Sequence, residues 1–446
     1  MTSHYTVDSQ TGEEQRDTTQ HLPAVEFDAV GRLAVSASIA STMFCSQIAI
    51  NIGEFPASID FFCYIAFFAY LFASGVAGLR QAALLLFLAL ALVACTRMIG
   101  AGSLTSWSSL SLLLVLYAPF PFQIKPKSSG EALSNYIQAR YTYFASIIAV
   151  IAVVQLIAVN LFKGNQYLSN ISFVLPDEIR GAGTYAFFRE GGGIVKANGY
   201  FLRESSTLSI VTSIALLLEF FSRRRTLTMC ILAAGLLAAI SGSGVLIILV
   251  AFLFPKNVRG VPVLVAGIIA LAVIVTYGSD IPFLGLWLDR LSELDNQGSS
   301  GYARFVAPIE MLQRSFAQVS NIWFGVGAGS YLRTVAILNT KYEINDPTWA
   351  KLIYEYGFVG FTVLSALVLL RLSTSRLRGE IGVALFYAWI SAGSVLKPDF
   401  VFPTWMLTLV RTSTTRKLPG TTASSREKPV QLSAPRDTGI ASRRGA

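Results

Sequence analysis

The sequence predicts an all-α, polytopic integral membrane protein with two long polar loops. Of its 446 residues, 53% are hydrophobic and only 14% are charged, whereas soluble proteins average roughly 25% charged residues. Apolar runs of about 17–22 residues recur, and such runs are long enough to cross a bilayer core of roughly 30 Å as helices. Basic residues gather in alternate short loops, as in helical membrane proteins.

The apolar runs give the order of the predicted spans. Single spans are expected at 33–50, 57–78, 82–98, 104–122, 141–162, 207–221, 261–277 and 352–370. Two runs, 226–254 and 381–410, are too long for one span and predict hairpins broken at residues 241–244 and 397–399. The count is therefore about 12 transmembrane helices, or ten plus two re-entrant hairpins.

This order divides the chain into seven segments. Spans one to five occupy 29–162, spans six to nine 207–277, and spans ten to twelve 351–411. Segments 163–206 and 278–350 are the long loops, and the polar tails 1–28 and 412–446 are predicted to be disordered. Short-loop arginines and lysines place both tails in the cytoplasm, and the long loops fall on the opposite face.

Histidine and cysteine chemistry is not expected in the membrane body. The histidines are His4 and His21, both in the N-terminal tail, and the four cysteines lie in apolar runs without metal-ligand spacing. We therefore predict no metal site and no cofactor. The net charge of +9 reflects cytoplasmic loops rather than a nucleic-acid surface.

The first long loop ends in a cationic stretch that leads into a span. Lys196, Arg203 and Glu204 precede Ser205 and Ser206, either of which is a suitable helix cap. A helix N-terminus beside an arginine favours an anion, especially a phosphate. The alternative is an Arg–Glu pair that only extends to the membrane interface.

The second long loop contains an amphipathic pattern and a glycine turn. Arg304 precedes a stripe with helical spacing, which predicts a helix restarted at Pro308 and lying on the membrane or on the other loop; the stripe comprises Phe305, Ile309, Leu312, Phe316 and Val319. Gly327 and Gly329 then belong to a tight turn, or to a nest of backbone N–H groups for pyrophosphate.

Polar and aromatic residues follow where this loop enters a span. Asp346 precedes Pro347, so it is either a helix cap or a general base at the membrane surface. Glu355 lies further into the span and favours a buried hydrogen-bonding strut. Trp349 fits an interfacial aromatic belt or a platform for stacking on sugar rings.

Over residues 196–360 these motifs resemble the O-antigen polymerase and O-antigen ligase superfamily of bacterial membrane glycosyltransferases. Residues 199–206 are similar to its glycine-aromatic…Glu-Pro-Ser signature, with Ser205 in place of proline. Arg304 matches the lone arginine that opens the amphipathic helix, and 323–330 the Gly-x-Gly-x-Gly turn. Two positions depart from the pattern: the turn at 241–244 lacks arginine, and Asp346 stands where ligases place histidine.

The resemblance implies a GT-C-like, metal-independent, inverting polymerase of exopolysaccharide, capsule or O-antigen repeats. The substrate would be an undecaprenyl-pyrophosphate-linked oligosaccharide at the external, periplasmic face of the bacterial inner (plasma) membrane. Membrane lipid, a chain-length regulator and export proteins would be its partners.

The residues then receive roles. Asp346 would be the base, and Arg304 and Arg203 would neutralise the pyrophosphate with help from Lys196 or Arg333. Other expected substrate contacts are Glu204, Gly327, Gly329, Trp349 and Glu355.

Three alternatives remain open at this level. A ligase would move finished glycan to lipid A core or to protein, although the missing histidine counts against it. A transporter of lipid-linked oligosaccharide or of solutes would place charges near the bilayer midplane, often in repeated halves, and neither is visible. A structural scaffold would be indifferent to charge changes in the loops.

Overall fold

The apolar runs form helices in a computed structural model that describes residues 29–52, 55–99, 102–124, 130–162, 165–181, 194–253, 269, 297, 300–338, 340, 344–392 and 395–412. The predicted tails 1–28 and 413–446 and nearly all of the predicted span 261–277 lie outside the described residues. The described part of residues 1–412 is one compact unit.

The first half of the chain forms five helices. Their bounds are α1 Ala29–Phe44, α2 Ile59–Ala73, α3 Gln81–Met98, α4 Trp107–Tyr117 and α5 Gly130–Leu161. Three short 3-10 turns follow in the first long loop, at Gln166–Leu168, Ile171–Phe173 and Asp177–Ile179. Helix α5 begins eleven residues before the predicted span, whereas α1, α2 and α4 are shorter than predicted.

Two small β-ladders correct the all-α prediction. Strand β1 (Ala49–Ile52) pairs antiparallel with β2 (Phe55–Ser58), with Ala49 opposite Ser58. Strand β3 (Ala77–Leu79) pairs with β4 (Phe122–Ile124), with Gly78 opposite Gln123. The first ladder is a hairpin between α1 and α2, whereas the second joins two separate connections between helices; in both, backbone N–H and C=O groups satisfy one another.

The helices after the first long loop are interrupted by several breaks. Helices α6 Ser205–Phe221, α7 Thr226–Ala238 and α8 Gly242–Leu253 precede the second long loop. After it come α13 Thr348–Thr374, α14 Gly379–Tyr387, a π-turn at Ala388–Ala392 and α15 Pro398–Leu407. The breaks predicted at 241–244 and 397–399 are confirmed, since α8 and α15 begin there.

Mostly helical structure is thus confirmed, but the predicted twelve spans are not. Among the described residues, three helices are long and apolar enough to cross a membrane: Gln81–Met98, Glu131–Leu161 and Thr348–Thr374. The remaining apolar helices have 10–17 residues.

The described part of the second long loop is folded onto α13. Its helices are α9 Ser300–Phe305, α10 Ala307–Ser315, α11 Val319–Phe324 and α12 Ser330–Leu338. Tyr302, Met311 and Tyr331 form with Ile353 and Tyr354 of α13 a core separate from that of the main bundle. The loop is therefore held in place by apolar contacts of its own.

The predicted stripe of this loop is partly wrong. The predicted restart at Pro308 is confirmed, because α9 ends at Phe305 and α10 begins at Ala307, but a second break separates α10 from α11. Leu312 is buried, but Ile309 and Val319 are 48% and 69% exposed. The buried face combines Leu312 and Met311 with two small residues, Ala307 and Ser315. Small side chains let α10 lie close to its neighbours, which a count of large apolar residues does not reveal.

Short-loop arginines gather at one end of the helices. Arg80 donates to the carbonyl of Leu370, Arg378 to that of Phe221, and Arg223 to that of Asn135. The opposite end holds the starts of α6, α8, α13 and α15. The charge pattern read from the sequence thus separates the two ends of the described helices; the compartment that each end faces stays a prediction.

Candidate active site

Arg304 lies at the centre of a polar cluster where α6, α8 and α9 meet. Its guanidinium donates to the Glu204 carboxylate at 3.2 Å, to the Ser206 hydroxyl at 3.1 Å and to the Ser243 hydroxyl at 3.1 Å. The Ser206 hydroxyl also donates to Glu204, at 2.7 Å. The Arg304 side chain is only 16% exposed, so these contacts hold it in one orientation. We call these four residues the Arg304 cluster.

Sequence explains why these side chains sit at helix ends. Glu204 is the N-cap residue of α6, Ser206 is in its first turn, and Ser243 is in the first turn of α8. Close packing of the two helices depends on Gly244, whose N–H donates to the Ser209 hydroxyl at 2.8 Å. A Cβ on Gly244 would lie 2.4 Å from the Ser209 carbonyl oxygen, which a side chain cannot tolerate.

Two further charged residues lie within electrostatic reach of Glu204. Burial of the carboxyl opposes its ionisation, but Lys397, Arg304 and the Ser206 hydroxyl outweigh burial and lower the pKa of Glu204 below its ordinary value of 4.5. Asp346 acts on the same carboxyl in the opposite direction. Lys397, just before α15, and Asp346, just before α13, therefore border the Arg304 cluster.

Lys397 is the cation of this site with the fewest close polar contacts. Its side chain is half-buried, and within the described part of the chain its ammonium makes no hydrogen bond or ion pair. It follows the break after the π-turn, so a short segment before Pro398 positions it beside Glu204. Lys397 attracts Glu204 only through space, so it can accept an anionic ligand without breaking a hydrogen bond or a close ion pair.

Asp346 forms an ion pair with Lys351 of α13. The Lys351 ammonium lies 3.0 Å from a carboxylate oxygen of Asp346, with side-chain exposures of 4% and 18%. The five-residue separation is set by the first turn of α13, which starts after Pro347. Asp346 therefore presents a fixed carboxylate at the edge of the Arg304 cluster.

The glycine turn is attached to the same helix. The N–H groups of Val326 and Gly327 donate to the carbonyls of Tyr354 and Glu355 at 2.8 and 2.9 Å. Glu355 is fully buried, and its carboxylate accepts from the N–H of Tyr331 at 3.2 Å. Glu355 thus has the geometry of the strut that the sequence favours, and the N–H group of Gly327 is already used within the protein.

Helix α13 breaks where the turn meets it. Gly357 has a φ of 66°, and a Cβ there would lie 2.3 Å from the Trp323 carbonyl. Gly325, with a φ of 73°, packs equally closely against Glu355. Only glycine combines a positive φ with such a backbone approach, so the two glycines lock the loop onto the broken helix.

The remaining predicted residues lie around this centre rather than in it. Arg203 donates to the Ser46 carbonyl at 3.0 and 3.3 Å and lies near Asp60. Arg333 is exposed and donates to the carbonyls of Leu104 and Thr105. Trp349 is half-buried against the core of the second loop, and Lys196 is half-buried before α6.

Sequence reasoning missed Lys397, Ser243 and the pairing of Lys351 with Asp346 as parts of the site. The sequence identifies residues 397–399 only as a break in an apolar run, and residues 241–244 as a break and as a turn that departs from the family pattern. A lysine in a loop that otherwise carries no basic residue was the available signal for Lys397. No local signal marks Ser243, because only the approach of α8 to α9 brings it to Arg304.

A model of the WcaD colanic acid polymerase family matches residues 35–413. The chain belongs to that family. Among curated proteins no sequence matches it. Membership of the WcaD family confirms the resemblance to repeat-unit polymerases of exopolysaccharide, and it supports a membrane glycosyltransferase of polysaccharide biosynthesis.

Proposed function

We propose that this protein polymerises oligosaccharide repeat units carried on undecaprenyl pyrophosphate, at the external face of the inner membrane. The Arg304 cluster carries the proposal. Its guanidinium is fixed in one orientation, and the ammonium of Lys397 and the carboxylate of Asp346 lie within electrostatic reach of Glu204 in the same cluster. Such a set suits a reaction in which a phosphorylated sugar carrier leaves while a hydroxyl attacks.

The reaction needs charge stabilisation at the leaving group above all. The acceptor hydroxyl oxygen bonds to the anomeric carbon of the donor, the bond from that carbon to the pyrophosphate oxygen breaks, and the electron pair departs with the pyrophosphate. Arg304 and Lys397 stabilise the charge that develops there. The serine hydroxyls and Glu204 keep Arg304 in place for this task.

Asp346 takes the proton of the acceptor hydroxyl. Its carboxylate is paired with Lys351, and a carboxylate stabilised by an ammonium is a weak base. It therefore orients the hydroxyl first and accepts the proton late, when the bond to the leaving group is largely broken. This order removes the need for the histidine that the ligases use, which favours polymerase over ligase chemistry.

The other residues act by positioning. The glycine turn and Glu355 hold the second long loop on α13, so that Arg304 and Asp346 keep their separation. Arg203 fixes the end of α1 through the Ser46 carbonyl, and Arg333 ties α12 to the loop before α4. Trp349 and Lys196 border the site and are assigned to sugar and phosphate contacts respectively.

The test compares Arg304→Ala with Arg314→Ala, which removes an exposed arginine from the neighbouring helix α10. Both variants are supplied with lipid-linked single repeats, and polymer is measured as a ladder by gel. Arg304→Ala is expected to lower the polymerisation rate about 10²–10³-fold, as loss of a transition-state donor does. Arg314→Ala keeps the normal rate. Normal ladders from Arg304→Ala at equal abundance would overturn the proposal.

A second experiment separates polymerase from ligase and carrier. Proteoliposomes with the wild-type chain receive lipid-linked repeats and, in a separate arm, lipid A core. New glycosidic bonds between repeats support the polymerase. Glycan joined to the core, or repeats moved across the bilayer without a new bond, would refute it.

Lys397 has its own test within this mechanism. Lys397→Met removes the positive charge of the ammonium and is expected to slow polymerisation about tenfold or more. Lys397→Arg restores most of the rate because the charge returns. Equal rates for the two variants would assign Lys397 a structural role instead.

A further inference from the structure

A second cationic cleft opens at the other end of the helices, far along the chain from the Arg304 cluster. It has a volume of about 340 Å³ and lies between α5 and the junction of α6 with α7. That volume falls within the roughly 300–1,000 Å³ of ligand clefts. The residues that matter line it together: Tyr136, Arg140, Tyr143, Arg223, Arg225 and Thr228.

The charge of this cleft is not balanced. Arg225 is neutralised by Glu219, whose two carboxylate oxygens each lie 2.9 Å from its guanidinium. Arg140 lies 5.1 Å from the ring centroid of Tyr136, and Arg223 donates to the Asn135 carbonyl. Among the described residues no carboxylate forms an ion pair with either of them. Two guanidinium groups thus retain unused donors facing an open cleft.

An apolar stripe runs from the cleft along α5. Exposed residues recur on one helical face beyond the cleft, with exposures between 48% and 71%; these residues are Val150, Val154, Ile157 and Leu161. Leu227 and Leu237 of α7 are 75% and 48% exposed. In a membrane protein such a surface contacts acyl chains, and basic clefts at its end recognise lipid phosphates.

We propose that the cleft binds the phosphate headgroup of an anionic membrane phospholipid, whose acyl chains lie along the apolar stripe of α5. Arg140 and Arg223 hold the phosphate, and the Thr228 hydroxyl is placed to donate to it. The cleft suits a lipid better than a free anion, because the cationic group and the apolar stripe share one face of α5.

The bound lipid stabilises the packing of α5 on α7. These helices approach so closely that a Cβ on Gly235 would lie 2.5 Å from the Ala149 side chain. A lipid along the exposed faces of both helices adds contacts outside this close approach. The site is separate from the residues assigned to polymerisation.

The test measures lipid retention by the full-length protein in detergent. Phosphatidylglycerol is the probe, phosphatidylcholine the lipid control, and inorganic phosphate the free-anion control. Native mass spectrometry counts bound lipid and thermal unfolding reports stabilisation. Arg140→Gln with Arg223→Gln is compared with Arg224→Gln, which removes the adjacent arginine that does not line the cleft.

Wild type and Arg224→Gln are expected to retain one phosphatidylglycerol and to unfold at a higher temperature with it. The double variant loses about fivefold in affinity for each arginine, or about 25-fold in total. Arg140→Gln alone, which removes no hydrogen bond between described residues, shows the fivefold loss if the double variant does not fold.

Three results would overturn the lipid site. They are equal retention by the double variant and Arg224→Gln, equal stabilisation by phosphatidylcholine, and equal stabilisation by inorganic phosphate. The last would assign the cleft to a soluble anion.

Discussion

Two buried arginines at opposite ends of the helices have opposite kinds of partners. Arg371, at the end of α13, is 2% exposed and donates to the carbonyls of Phe120 and Phe122 at 2.6 and 2.7 Å and to the Thr408 hydroxyl at 2.7 Å. Arg304 is held by one carboxylate and two hydroxyls.

The difference separates a structural cation from the cation of the candidate site. Arg371 satisfies fixed backbone carbonyls of the β4 region and α15, and it lies over the rings of Phe120 and Trp405. All its donors serve the fold. The partners of Arg304 are side chains at helix starts, and Lys397 and Asp346 lie around them. Side-chain acceptors can move aside so that a ligand takes their hydrogen bonds, whereas backbone carbonyls fixed by the fold cannot.

The largest expected effect is at the structural arginine. Arg371→Met leaves at least two carbonyls without a donor, at about 1–3 kcal/mol each, so the free energy of unfolding should fall by about 2–6 kcal/mol. Membrane abundance and thermal unfolding in detergent measure it. Arg314→Gln, at an exposed arginine of α10, should change stability by less than about 1 kcal/mol. Similar losses in both variants would erase the distinction between buried structural arginines and surface ones.

The next largest effect is expected at Gly357, where the second long loop packs against the break in α13. Gly357→Ala introduces a Cβ 2.3 Å from the Trp323 carbonyl at a positive φ. Strain and displacement together should cost about 3 kcal/mol and lower polymerisation, because Arg304 and Asp346 lose their relative position. Gly382→Ala is the matched control, since a Cβ there meets nothing within 4 Å. Wild-type thermal stability in Gly357→Ala would contradict the lock.

A smaller effect appears in the pH dependence of the Arg304 cluster. The pKa of Glu204 is lowered in the folded protein, so its contribution to stability is complete above its ordinary pKa of 4.5 and disappears as the pH falls through the lowered value. Glu204→Gln should therefore unfold at a lower temperature than wild type at pH 7, and the two should converge in acid. Glu178→Gln, at an exposed carboxylate, is the control. A gap that persists in acid would show that Glu204 does not act through its charge.

The smallest effect is expected at a surface ion pair. Arg180 and Asp177 lie 2.9 Å apart with side-chain exposures of 36% and 86%. Asp177→Asn should alter the free energy of unfolding by less than about 0.5 kcal/mol, because solvent screens the pair. Thermal unfolding at two salt concentrations checks this. A loss as large as that of Gly357→Ala would mean that exposure does not rank these contacts.

Much of the fold could be read from hydrophobic runs. The helical body and the breaks at 241–244 and 397–399 follow from run length and from glycine, proline and charge within the runs. The strand pairs could not be read, because β1 to β4 are three or four residues each and depend on which helix ends meet. The buried face of α10 was partly wrong for a related reason: close packing selected Ala307 and Ser315 over Ile309.

The candidate site, like the fold, could be predicted from the sequence only in part. The sequence indicates Arg304, Glu204 and Asp346 because charged residues in a membrane protein often have a function. The structure brings Arg304 and Asp346 within electrostatic reach of Glu204. Lys397 was passed over, although its loop carries no other basic residue.

By itself the sequence determined the membrane class, the order of the described helices and the loops in which the candidate site lies, because hydrophobicity and charge act locally along the chain. Only the tertiary structure decided that Arg371 locks carbonyls while Arg304 joins residues 204, 206 and 243. The same guanidinium becomes a structural group or part of a candidate site according to the partners that packing brings within hydrogen-bond distance, and those partners lie up to about 250 residues away along the chain.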